Sequence, residues 1–266
     1  MTKKILLILL SGLILSSCKK SDEPQYFWPS EIQKVTAGLT ASFDTLNAEM
    51  ALNVTAIAQN ISDTAAIRTR MLSMVNQSSF VLEFSFITPQ GIMQIIEPAI
   101  YHPWQGSDIS GQAHIIQGYQ TKLPALSNHF YAVEDFWGVV DFHPVVAQGE
   151  VLGGVTALFM PETLLGRIIL PVIKGQPFDM FVMEKGGVMI YDQDPTAIGQ
   201  NLLTDTIFKP FPELVAAAKL FDSLKSGETS YSYYQTGTTI LVKKKAYWET
   251  FEMFGTEWRI IWLKPE

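Results

Sequence analysis

The chain has 266 residues, 47% of them hydrophobic and 12% aromatic, with a formal net charge of −7. This composition belongs to a packed globule and excludes a disordered chain, and the acidic balance excludes a nucleic-acid partner, which needs a basic face. With a single cysteine no intrachain disulfide is possible, so the fold must stand on its core.

Lys3 and Lys4 precede an apolar run from Ile5 to Leu15, broken only by Ser11 and Gly12. The run is too short for a permanent span, which needs roughly 20 residues, and has the form of a signal-peptide h-region. It leads into Leu15-Ser16-Ser17-Cys18, which resembles the bacterial lipobox: an aliphatic residue, two small residues that let a peptidase approach, and the thiol that accepts the lipid. The resemblance implies that residues 1–17 are a lipoprotein signal peptide and that Cys18 carries at least two acyl chains, enough for stable anchoring. No later segment reads as a span. The expected mature protein is therefore extracytoplasmic and lipid-anchored to a membrane. In a two-membrane host that membrane is the outer one, because Lys19 stands where an inner-membrane retention signal carries Asp.

Residues 18–29 read as a polar linker. Ser30-Glu31-Ile32-Gln33 reads as a capping box. Apolar residues then recur every three or four positions from Ile32 through Val35, Leu39, Phe43, Leu46, Met50, Val54 and Ile57 to Ile61. This stripe predicts one long helix of roughly 45 Å, a spine for two stacked units. A second helix is expected near Ser62-Asp63, with Ile67, Met71, Met74 and Val75 inward; spine and short helix together fill residues 30–79.

Strands are predicted over Phe80–Ile87 and Ile92–Ile96 around Pro89-Gln90-Gly91, and over Trp137–His143 and Val151–Phe159 around Gln148-Gly149. A helix follows from Pro161 to Leu170. The pattern then restarts: strands Phe178–Glu184 and Val188–Tyr191 around Gly186-Gly187, a loop from Asp192 to Gly199, and a helical region from Phe211 to Leu224. Strands Thr229–Tyr234, Lys243–Thr250 and Trp258–Leu263 close the chain, with Lys243-Lys244-Lys245 as a solvated hairpin tip. Aligning Phe86 with Phe181, Gly91 with Gly187 and Gly106 with Gly199 predicts two copies of one mixed α/β unit, over residues 80–170 and 171–266.

The second copy contains Met189-Ile190-Tyr191-Asp192-Gln193-Asp194-Pro195-Thr196-Ala197-Ile198-Gly199-Gln200-Asn201-Leu202, which resembles a hallmark of Cache domains, the extracytoplasmic relatives of PAS domains. Gly227, Tyr231-Ser232-Tyr233-Tyr234, Lys245-Ala246-Tyr247 and Glu257-Trp258-Arg259-Ile260-Ile261 follow in the family's order, with Thr256-Glu257-Trp258 in place of Thr-Gly-Trp. The first copy is similar to the membrane-distal half of double Cache proteins through Thr88 to Met93, Glu97-Pro98, Gly106 to Ser110, Pro124 to Ser127, His143-Pro144-Val145 and Gly153-Gly154-Val155. The resemblance implies an α+β fold: a long N-terminal helix carrying two stacked PAS-like units, each an antiparallel sheet flanked by helices.

The resemblance also implies small-molecule binding, most often in the membrane-distal unit. There Tyr101, Trp104, His129, Tyr131 and Trp137 offer aromatic walls and Asp141 a polar contact in an otherwise apolar strand. This is a set suited to a small ligand, and a carboxylate among aromatic faces suits an amine. The Tyr-Arg-Trp-Tyr-Asp arrangement of amino-acid-sensing relatives does not occur in this text. No metal-ligand spacing, cofactor motif or catalytic motif is found, so neither an enzyme nor a cofactor is expected. The function expected is sensory ligand binding outside the cytoplasm, without an output domain of its own and acting through a membrane-bound signalling or transport partner. The alternative is a structural or interaction lipoprotein whose distal cavity is plugged by Trp104 or Trp137.

Overall fold

The computed structural model describes residues 29–234 and 240–266, so the signal-peptide run, Cys18 and most of the linker lie outside the described residues. Helix α1 (Ser30–Gln59) buries Ile32, Val35, Leu39, Phe43, Leu46, Met50 and Ile57, one face of the stripe. The capping box does not form. Pro29 occupies the cap position with φ −55°, its carbonyl accepts from Ile32 N at 3.1 Å, and Ser30, already helical, reaches only the Glu31 carboxylate at 3.3 Å. Ile61 falls beyond the helix end, in the turn to α2 (Thr64–Gln77). The Asp63 side chain caps α2 by accepting from Ala66 N at 2.9 Å.

The first sheet contains β1 (Glu83–Ile87), β2 (Met93–Glu97), β3 (Ala125–Leu126), β5 (Trp137–Ala147) and β6 (Glu150–Phe159) in the order β2-β1-β6-β5-β3, with β4 (Phe130–Tyr131) paired to the start of β5. Helix α3 (Ala113–Thr121) lies on its outer face, and α4 (Pro161–Ile173) leads to the second sheet. That sheet joins β7 (Asp179–Glu184), β8 (Met189–Tyr191), β9 (Gly227–Tyr234), β10 (Leu241–Met253) and β11 (Thr256–Pro265) in the order β8-β7-β11-β10-β9, with α5 (Pro212–Ser223) against it. Every pairing in both sheets is antiparallel.

The two sheets share one strand order, and their backbone bonding shows the repeat directly. Gly91 N donates to Thr88 O as Gly187 N does to Glu184 O, and Gly106 N donates to Met93 O as Gly199 N does to Met189 O. Gly91, at φ 82°, could not carry a side chain, since a Cβ would stand 2.5 Å from the Ser110 backbone. The alignment of Phe86 with Phe181 is corrected by one residue. The pairing irregularity follows Phe86 in β1 and Val182 in β7, and both of these side chains lie in the core under α1, whereas Phe181 faces the other way.

The core under α1 is continuous between the sheets. Phe84, Phe86, Val155 and Phe159 of the first sheet and Val182, Phe251, Trp258 and Ile260 of the second belong to the same cluster as the α1 stripe. Two further sequence expectations change. The Lys243–Lys245 run lies inside β10, and Lys244 is buried and paired with Asp179 at 3.1 Å. Helix α3, where the sequence predicts no element, has no side-chain N-cap and carries Gly118 in its interior, so the usual helix signals are missing.

Candidate functional site

Strand alternation sends Phe84 and Phe86 of β1 to the α1 core and leaves Glu83 and Ser85 on the opposite face. There Thr156 of β6 stands beside Ser85, and the cover contributes Gln112, His114 and Glu134. Together they line a cavity of about 20 Å³ between the sheet and the segments crossing it, room for about one water molecule. Apolar residues, among them Met93, Ile109 and Leu158, close the remaining walls.

Two of these polar groups are buried with little to satisfy them. Glu83 is 1% exposed and His114 4%, and Glu83 Oε2 and His114 Nε2 have no hydrogen-bond partner among the described residues. Burial, reinforced by the charge of Glu134, holds the Glu83 carboxyl well above the usual carboxylate range. Burial also raises Glu134, and it lowers His114 to about 4, leaving the imidazole neutral at physiological pH. The cavity therefore sets two carboxyls beside an uncharged ring, with no Lys or Arg among its described walls.

The Phe142 ring of β5 packs between this face of the sheet and α3. It lies where a Cβ on Gly118 of α3 or on Gly154 of β6 would be, at 2.3 and 2.2 Å, so α3 sits directly on the ring. Tyr119 fastens α3 to the end of β1 by donating to Thr88 O at 2.8 Å.

The six residues expected to bind ligand do not come together. Tyr101 and Trp104, 6.0 Å apart between ring centroids, pack onto the apolar cluster of the cover. Tyr101 also senses the charges of Glu83 and Glu134, which add to burial in raising its hydroxyl pKa. His129, Tyr131 and Trp137 form a separate aromatic group, with Trp137 5.2 Å from the His129 ring and 5.6 Å from Tyr131. Tyr131 and Trp137 are more than half exposed. Asp141 lies on the α1 face of β5, alternating with Val140 and Phe142 on the cavity face, and meets His143 at 3.2 Å. His143 in turn contacts Asn47 of α1 at 3.1 Å. Sequence reasoning passes over Glu83, Ser85, Thr156 and Glu134. The signal was present in Glu83 and Ser85, polar at every second position of an otherwise apolar strand.

The first unit is hydrogen-bonded to the second sheet at two points. His129 N donates to Glu184 Oε1 at 2.7 Å, and Thr256 Oγ1 donates to Leu126 O at 2.6 Å. Burial raises Glu184 to about 7, although the His129 bond opposes the shift. The neutral carboxyl is the form the fold favours, so its contribution to stability is complete below about pH 4.5 and is lost as pH rises through about 7. A displacement of that size is worth roughly 3 kcal/mol at most. Glu184→Gln keeps the acceptor and removes the titration. Thermal melts between pH 5 and 8 are expected to show a loss of stability in the wild type that the variant lacks; parallel profiles would refute the assignment.

Comparison with known proteins bears on this geometry. Residues 41–161 match the family model described as HK/GC/Chemotaxis protein-like, sensor domain. The ligand-binding domain of the Pseudomonas aeruginosa amino acid chemoreceptor PctB superposes with a TM-score of 0.65 at 12% identity, over 89% of this chain and 93% of that one. The chain has the double Cache fold. The periplasmic sensory domain of the Campylobacter jejuni chemoreceptor Tlp1 shares this double Cache architecture at a TM-score of 0.64 and 13% identity, over 89% and 93% of the two chains. An extracellular ligand binding receptor from Desulfohalobium retbaense reaches a TM-score of 0.74 at 23% identity over 90% of this chain, which spans 40% of that receptor's length. Curated protein sequences give no match. In this double Cache fold the first sheet, with its small polar cavity, is the first of the two units, and no described helix is long and apolar enough to cross a membrane.

Proposed function

We propose that this protein is an extracytoplasmic small-molecule sensor, tethered by lipid on Cys18, that takes its ligand in the cavity of the first unit and acts through a membrane-bound partner. The observation that carries the reading is the pair of buried carboxyls, Glu83 and Glu134, lining one small enclosure beside a neutral His114. Burying such groups without partners opposes folding, and a ligand supplying donors to them offsets that penalty. The lining favours a compact ammonium group. With no Lys or Arg among the described walls to meet a carboxylate, the reading is an amine without an acid group. The L-Arg-bound state of the PctB domain supports small-molecule capture by this fold. Tyr101 and Trp104 belong to the cover that closes over the ligand.

The cavity has room for about one water, so entry requires the cover, with α3, to lift off the sheet. A ligand that binds the lifted and lowered states unequally shifts their populations, which is what a sensor requires. Lipid anchoring rests on the Leu15–Cys18 sequence; metabolic labelling with an alkynyl fatty acid should mark the wild type and not Cys18→Ser. For the ligand, the test is a thermal-shift screen of the full chain with putrescine, tyramine, histamine and agmatine at millimolar concentration. At least one should raise Tm by several degrees, as expected at a large excess over Kd, and lose its effect in Glu134→Gln. A uniformly flat screen would favour the plugged, ligand-free reading.

A further inference from the structure

The second sheet has a cavity of its own, of a different kind. It encloses about 490 Å³ on the outer face, between β9, α5 and the segment from Asp192 to Phe211. Tyr231 and Tyr233 of β9, 6.1 Å apart, form one wall, and Phe211, edge-on to Tyr233 at 6.5 Å, begins the next. Ile207 and Tyr234 remain 61% and 52% exposed at the rim. The ionisable side chains among its described walls, besides the tyrosines, are Asp192 and Asp194, and no Lys, Arg or His joins them.

The first unit's cavity shows why this space stays open. At the position of Phe142 the first sheet places a ring directly beneath α3. In the second sheet Trp248 turns instead toward Gly227 and the end of α5, donating from Nε1 to Leu224 O at 3.0 Å. Arg259 holds the same end of α5, bonding Phe221 O at 2.8 Å and Asp222 O at 3.1 Å. The helix is therefore fixed at its C-terminal end, and the enclosure lies toward its N-terminal half, at Phe211 and Leu214.

We infer that this enclosure is a second ligand site, for an organic cation with an apolar or aromatic body. The volume suits a small molecule. Aromatic faces attract a cation through their quadrupoles, and Asp192 supplies the counter-charge. Asp192 is already engaged, accepting from Asp194 N at 2.8 Å, so it is held in place. Burial raises its pKa, and the neighbouring charges of Asp194 and Asp179 add to the shift; that negative field also attracts a ligand's positive charge. The inference does not depend on the amine reading of the first cavity, since the two sites share no residue.

The probe is benzyltrimethylammonium, with neopentylbenzene as its uncharged isostere, titrated into the full chain by calorimetry. The cation is expected to bind at least ten-fold more tightly than the isostere. Asp192→Asn, which keeps the acceptor for Asp194 N, should weaken the cation at least ten-fold and leave the isostere unchanged. Leu214→Trp, which fills the enclosure, should abolish binding of both. Glu83→Gln should leave all of this intact, which separates this site from that of the first unit. Failure of the cation to bind, equal affinity for the isostere, or insensitivity to Asp192→Asn would overturn the inference.

Discussion

Replacing Phe43 by alanine should destabilise the whole protein by about 3–5 kcal/mol, the usual effect of deleting a buried ring. Phe43 has no exposed surface. Its ring lies 5.9 Å from Phe159 and 6.5 Å from Phe80 on the first-unit side, and 5.5 Å from Phe251 and 5.8 Å from Trp258 on the second. It is the point where α1 joins the two sheets into one core, so the cavity left by alanine has walls from both. Urea unfolding should therefore shift as a single transition, with tryptophan fluorescence and far-ultraviolet circular dichroism still coincident. A loss below about 1 kcal/mol, or two separated transitions in the wild type, would show that the units are stabilised independently.

The second large effect has the opposite sign for stability. Glu83→Leu should stabilise the protein while abolishing its response to an amine. The glutamate leaves Oε2 without a partner in a space walled by Val140 and Leu158. Removing such a group relieves about 1–3 kcal/mol, which for a chain of this size raises Tm by roughly 3–8 °C. The same substitution removes one of two carboxyls proposed to meet the ligand, and affinity should fall at least 100-fold. Stabilisation with ligand binding retained would place the site elsewhere. Destabilisation would mean that the carboxyl has a structural role. The trade is what a binding site kept against the interests of packing should show.

Much of the architecture was legible because it is carried by long periodic signals. The α1 stripe and the glycine landmarks at 91, 106, 187 and 199 are each tied to a geometry no other residue pattern satisfies as well. The candidate site was harder for a physical reason. Asp141 stood out as a charge in an apolar strand, yet a strand has two buried faces here, and only the register of β5 assigns Asp141 to the α1 side and Phe142 to the cavity side. Glu83 and His114 are brought together by the placement of α3, which depends on a glycine seated against a phenylalanine ring from a distant strand. No local signal encodes that contact. Tyr131 and Trp137 were read as pocket walls from their aromatic character, although aromatic character alone does not say which side of the β4–β5 pair they occupy.

The two ties between the first unit and the second sheet have an implication for how the proposed sensor reads its surroundings. If lifting the cover alters the bond between His129 N and Glu184, ligand occupancy changes the proton affinity of that carboxyl. Reciprocity then requires that protons change ligand affinity by the same factor. With Glu184 poised near 7, the acidity of the medium becomes a second input. A cell would register the same ligand concentration differently in acidic and neutral surroundings, with no dedicated pH receptor involved.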